Sequence, residues 1–197
     1  MIADSLEFLA GRVNEYLAVQ LGPTTDERVV LGNVSRAFDA DAAGTALTNK
    51  IILSLVNVEE DRVAKQQENF IRSDNGVKYK SPPVYLNLYV LFAANRTLYK
   101  DALLYLSYLM QCFQYQNVFT PATHPVLGPK GIQQLVADLY TLNFEASNQL
   151  WSTLGGKYIP SVLYKVRQVT IDANVITGES GYITEIDLND KQLNPAS

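Results

Sequence analysis

Apolar residues at Ile2, Leu6, Leu9, Val13, Tyr16 and Leu17 recur at steps of three and four, a spacing that lays them on one stripe of a helix. The predicted helix runs from Ile2 to Leu21. It stops there because Gly22-Pro23 supplies a C-terminal glycine and then a residue that cannot continue the ladder. Val29-Val30-Leu31 follows as a short extended piece. From Leu47 to Glu60 the pattern becomes that of a long strand, with Ile51, Leu53 and Leu55 on one face and Ile52, Val56 and Val58 on the other. Apolar residues on both faces predict a central strand covered twice.

Polar residues dominate Asp61 to Ser81, and Ser73-Asp74-Asn75-Gly76 marks a turn there, so the stretch reads as a loop or a hairpin tip. After Pro82-Pro83, Val84, Leu86, Leu88, Val90 and Phe92 alternate with Tyr85, Asn87, Tyr89 and Leu91, all but Asn87 strong or compatible strand formers. Helical spacing returns at Leu98, Ala102, Tyr105, Leu106, Leu109, Cys112 and Phe113. Leu103, Leu104 and Met110 spread apolar character around that helix, which predicts cover on several sides, by the sheet and by another layer or subunit. Val118 to Gly131 is loop-like, punctuated by Pro121, Pro125, Gly128 and Pro129.

Leu135 to Phe144 reads as a strand with Val136, Tyr140, Leu142 and Phe144 inward, while Ile132 to Leu139 also fits a helix. Glu145 to Leu154 forms a short helix ended by Gly155-Gly156, carrying Trp151 as an anchor onto the sheet. Ile159 to Ile171 returns as a strand with Val162, Tyr164, Val166 and Val169. The switching between period two and period 3.6 predicts an α+β fold: a single domain with a mixed β-sheet covered by amphipathic helices, over residues 1–171. Residues 172–197 differ in character and predict a C-terminal β-hairpin or arm around a turn at Gly178 to Gly181.

Composition narrows the function. An apolar fraction of 47% and a charged fraction of 18% belong to a folded chain. The net charge is −4 and the sixteen Lys and Arg are scattered, so nucleic acid and anionic membrane are not expected partners. The N-terminus lacks the basic and apolar regions of a signal peptide, and no run reaches the roughly 18 apolar residues of a membrane span, so a cytoplasmic protein is expected.

Candidate chemistry is sparse. The single histidine, His124, lies between Thr123 and Pro125 with no nucleophile-elbow motif elsewhere to join it. Cys112 falls on the apolar helical face, where burial makes a thiol inert. Leu154-Gly155-Gly156-Lys157 lacks the longer loop and the Ser or Thr after lysine of a phosphate-binding loop, and Glu59-Glu60-Asp61 lacks the alternation of a calcium loop. No catalytic, cofactor or metal site is expected, and the chain reads as a non-enzyme. Twelve tyrosines against one tryptophan suit wet boundaries such as subunit interfaces.

Ser81 to Asn95, then Tyr99 and the helix Ala102 to Phe113, together with Phe144-Glu145 and Leu150 to Arg167, resemble the N-terminal domain of the cap, or tube-terminating, proteins of bacterial contractile injection systems. That family includes the caps of antifeeding prophage and Photorhabdus virulence cassette particles. The resemblance covers roughly Ile2 to Asp172. It implies a structural cap that ends the inner tube and joins it to the sheath at the baseplate-distal end. It further implies a homo-oligomer, a hexameric ring, with the inner tube and sheath proteins as partners, made in the bacterial cytoplasm and incorporated into the particle. Larger relatives carry a further C-terminal domain. The alternatives are another tail or baseplate component of the same machine, or a small soluble enzyme with an unrecognised site.

A ring protein needs a strand or arm to share. Residues 172–197 carry five acids (Asp172, Glu179, Glu185, Asp187 and Asp190) against Lys191 alone, yet keep a strand-like apolar run. Tyr182, Ile183, Ile186 and Leu188 are therefore the assembly-interface candidates.

Overall fold

The computed structural model of the chain describes residues 1–61, 70–73, 76–80, 83–155, 157–171 and 176–180. Two compact units divide the chain, one of Met1–Ala64 with Val84–Ile171, the other of Lys65–Pro83 with Asp172–Ser197.

In the first unit, helix α1 (Ile2–Leu21) is followed by β1 (Val29–Leu31), a short 3-10 turn (Val34–Arg36), α2 (Ala42–Ala46) and β2 (Lys50–Glu60). In the second unit lie β3 (Phe70–Ser73) and β4 (Gly76–Lys80). The first resumes with β5 (Val84–Asn95), α3 (Tyr99–Tyr115), β6 (Val118–Phe119), β7 (Leu135–Tyr140), α4 (Phe144–Thr153) and β8 (Ser161–Ile171). The last described strand, β9 (Ile176–Ser180), belongs to the second unit.

Six strands form one mixed sheet in the order β1-β2-β5-β8-β7-β6. β1 runs parallel to β2, and the other pairs are antiparallel. The fold is α+β, as the alternating periods predict. One face of the sheet carries the main core. There α1 contributes Leu6, Leu9, Val13 and Leu17, and α3 contributes Ala102, Leu106, Leu109, Cys112 and Phe113, against Ile51, Leu53, Leu88, Val90, Phe92 and Val166. The opposite face holds a smaller cluster in which Val34, Ala37, Leu47 and Trp151 cover Ile52, Leu91, Ala93 and Leu163. Both helices predicted to cover the sheet therefore do so, and Trp151, 6% exposed, is the sheet anchor that its place on the short helix implies.

Several boundaries moved for local physical reasons. The strand expected from Leu47 begins at Lys50, because Leu47 caps α2 and Asn49 adopts φ 61°, a left-handed conformation that asparagine tolerates and a strand does not contain. The register of β2 against β5 shifts between Leu55 and Asn57. This bulge puts an extra residue into β2, so Val58 pairs with Leu88 and joins the face of Leu55, opposite Val90, rather than the face of Ile52. A second shift between Leu86 and Leu88 lets Val166 and Val169, three apart, both reach the main core. That accounts for the break in period two inside the predicted strand Ile159 to Ile171.

Of the two readings left open for Ile132 to Phe144, the strand is the one realised, over Leu135–Tyr140. Its outer half is not inward: Tyr140 is 41% exposed and Phe144 is 98% exposed. Phe144 opens α4, whose first turn is fixed by Asn143 Oδ1 accepting the Ala146 amide at 2.7 Å. Helical geometry then turns the Phe144 side chain to solvent instead of continuing the strand's alternation.

In the second unit β3, β4 and β9 form a three-stranded antiparallel sheet, with Ser73 opposite Gly76 and Tyr79 opposite Gly178. The polar stretch from Asp61 thus contains a hairpin, one of its two readings. Gly178 lies within a strand rather than opening a turn, since its backbone is engaged in the β4 ladder.

Candidate assembly surface

The groups able to do chemistry sit in quiet surroundings. Cys112 is buried on α3 with its thiol 3.9 Å from the Arg12 carbonyl oxygen, and burial pushes its pKa up to about 11. The His124 ring stands edge-on to Phe8 and Phe119 with centroids 5.3 and 5.4 Å away, and Nδ1 lies 2.9 Å from Thr123 Oγ1. Burial, reinforced by the Arg12 charge, lowers its pKa and favours neutral imidazole. Glu59 accepts a hydrogen bond from the Tyr89 hydroxyl at 2.7 Å and lies 3.5 Å from Lys165 Nζ. The tyrosine bond first and the lysine charge second hold its carboxyl below the usual range. Among the described residues no group of three or more His, Cys, Asp and Glu could hold a metal ion.

Apolar exposure is the more prominent feature. On the side of α3 away from the core, Leu103, Leu104 and Met110 remain 36–45% exposed. Among the described residues, the cover predicted for this helix on several sides is present on one side only. Beyond the end of α3, Leu139 of β7 is 56% exposed, and a surface notch there is lined by Met110, Phe113, Leu139 and Tyr164. Across the sheet, a groove between the strands and α4 is lined by Val56, Tyr89, Tyr140, Leu142, Leu150 and Leu163. Trp151 and Tyr158, ring centroids 5.4 Å apart, line an adjoining groove that shares Tyr140, Leu142, Leu150 and Leu163.

The two sides of the sheet end differently. β1 is capped at Val29 on its outer edge by the Asn14 side chain of α1: Nδ2 donates to the Val29 carbonyl at 2.8 Å, and Oδ1 accepts from the Arg28 and Val29 amides at 3.0 and 2.9 Å. At the other side β6 covers only Leu135 and Val136 of β7, supplemented by the Ala137 amide donating to the Asn117 carbonyl at 2.8 Å. Backbone groups of alternate residues point the same way along a strand, so the Leu139 N–H and C=O face outward like the Ala137 N–H. They have no backbone partner among the described residues. Edges of this kind are templates for another strand.

The interface candidates Tyr182, Ile183, Ile186 and Leu188 lie outside the described residues. The open edge at Leu139, the notch beside Met110 and the exposed Phe144 were not legible in the sequence, where each residue continues an apolar pattern that implies burial. Among the described residues no helix is long and apolar enough to cross a membrane.

Comparison with known proteins places this geometry. No curated protein sequence matches the chain. Among solved structures, the fold is similar to the sheath/tube terminator, in the extended state, of an extracellular contractile injection system called PVC. That match has a TM-score of 0.58 at 13% identity and spans 94% of this chain and 64% of the other. The anti-feeding prophage cap, a tube-terminating cap, is similar with a TM-score of 0.57 at 14% identity, over 90% of this chain and 58% of the other. The chain thus spans less than two thirds of the length of either. A family model described as the Pvc16 N-terminal domain matches residues 6–185, nearly the whole sequence and both compact units, and the chain belongs to that family.

Proposed function

We propose that this protein is a structural cap that ends the inner tube and joins it to the sheath of a bacterial contractile injection particle, without catalytic activity. The observation that carries this reading is the family match over residues 6–185. The likeness of its fold to two tube terminators supports it. The protein works as a homo-oligomeric ring of six copies, with the tube and sheath proteins as partners. Exposed apolar residues on α3 and along β7 supply contact area of the kind a subunit interface needs. Residues 172–197 contribute to assembly, with Tyr182, Ile183, Ile186 and Leu188 as its apolar contacts.

Negative-stain microscopy of the purified protein tests the ring, with annular particles of uniform subunit number as the expected result. Deletion of its gene from a producing strain should give tubes of uncontrolled length or particles whose sheath detaches. Normal particles from the deletion strain would overturn the cap reading. Truncation after Ser180, which keeps β9, separates folding from assembly: an unchanged circular dichroism melt with loss of rings supports the assembly role of the tail.

A further inference from the structure

We infer that the open edge of β7 is the acceptor for an extended segment of a second copy of this chain, residues 182–188. The inference rests on the ring reading above and names the surface through which one copy engages the next.

The edge offers both parts of a strand-addition site. Its backbone part is the outward-facing N–H and C=O of Leu139, beyond the point where β6 ends. Main-chain hydrogen bonds there give affinity, and side-chain pockets on alternate faces give specificity. Its side-chain part differs between the two faces of the sheet. On the α3 face, Met110, Phe113, Leu139 and Tyr164 line the apolar notch. On the opposite face, Arg167 holds Asp138 through Nε at 2.8 Å and Nη2 at 2.6 Å. Its side chain remains 45% exposed, and a guanidinium has five N–H donors, so donors remain for a second carboxylate.

The sequence after Ser180 matches this division. In Tyr182-Ile183-Thr184-Glu185-Ile186-Asp187-Leu188, an extended chain puts Tyr182, Thr184, Ile186 and Leu188 on one side and Ile183, Glu185 and Asp187 on the other. The first set suits the notch. The second brings two carboxylates toward Arg167. Charge decides against the exposed far end of β2 as acceptor, because that strand runs into Glu59, Glu60 and Asp61. Like charges placed opposite one another on neighbouring strands repel. A donor segment and an acceptor edge at different places on one chain make a head-to-tail contact, the type that closes into a ring.

The test uses the full chain in two differently tagged forms, Leu139→Cys and Ile186→Cys, mixed and mildly oxidised. The native Cys112 is buried. A disulfide joining the two tags is expected, along with at least a tenfold weaker self-association in Leu139→Pro and in Ile186→Asp at unchanged circular dichroism. Proline at position 139 removes only an N–H that points away from β8, a substitution that edge strands accept. Rings that persist without an interchain disulfide, and that Leu139→Pro leaves intact, would overturn this acceptor edge while the cap reading stands. A disulfide formed only within the double variant Leu139→Cys/Ile186→Cys would overturn it too, by showing the segment on its own chain. An unmodified protein that stays monomeric at high concentration would instead count against the ring.

Discussion

Replacing Trp151 by alanine tests whether the second face of the sheet is held by α4. The side chain is 6% exposed and packs with Ile52, Leu91, Ala93 and Leu163. Shortening it to alanine returns on the order of 150 Å² of buried apolar surface, worth about 4 kcal/mol at ~25 cal/mol per Å². The edge-on contact with Tyr158, at 5.4 Å between centroids, adds about 0.5–1.5 kcal/mol. Against this, Trp151 borders an open groove with Leu142 and Leu150, so the site can partly collapse or admit water, and the cavity contribution is reduced. The expected loss is about 3–4 kcal/mol, or roughly 10 °C in melting temperature for a chain of this size. Trp151 is the only tryptophan, so urea unfolding has to be followed by far-ultraviolet circular dichroism rather than fluorescence. The midpoint should fall with the slope unchanged, and Trp151→Phe should recover more than half of the loss. A Trp151→Ala variant that unfolds within about 1 kcal/mol of the parent but no longer assembles would refute the reasoning and make Trp151 a binding residue.

Ser54, 5% exposed, accepts the Val34 amide at 2.9 Å and donates to the Gly32 carbonyl; Ser54→Ala strands a buried amide and should cost about 1–3 kcal/mol in the same urea titration. A Cβ on Gly44 would lie 2.1 Å from the Asp39 carbonyl oxygen, a backbone contact with nowhere to move, so Gly44→Ala should destabilise by about 1–3 kcal/mol, whereas Gly11→Ala, with open space around it, should not destabilise. Burial raises Cys112 to about 11 and Tyr164 to about 12. Both are neutral when protonated, so the unfolded chain releases these protons first and stability falls as pH rises from about 9 toward 12. Cys112→Ser should flatten the lower part of that decline in melting temperature, and an unchanged profile would count against the assignment.

Local pattern carried most of the secondary structure. The three-and-four spacing from Ile2 to Leu17 gives a helix because it aligns an apolar stripe, and Gly22, at φ 89°, ends it. The alternation from Val84 to Phe92 gives a strand for the equivalent reason at period two. The counts of one histidine and one cysteine need no fold. What periodicity cannot carry is position within the sheet. The bulge in β2 moved Val58 to the other face, and the one in β8 let Val166 and Val169 share a face, because an extra residue shifts every later side chain. Likewise Leu103, Met110 and Leu139 have the same aliphatic character as Leu106 and Leu109. Only the packing of α1 and α3 on the sheet, and the early end of β6, left the first three exposed and the other two buried. The sequence by itself determined the long helices and strands, because those choices depend on neighbours a few residues away, whereas α2 and the choice of strand over helix at Leu135–Tyr140 needed the fold. Which apolar residues face solvent, and so which surface is available to a second copy, was decided by contacts between segments far apart in the chain.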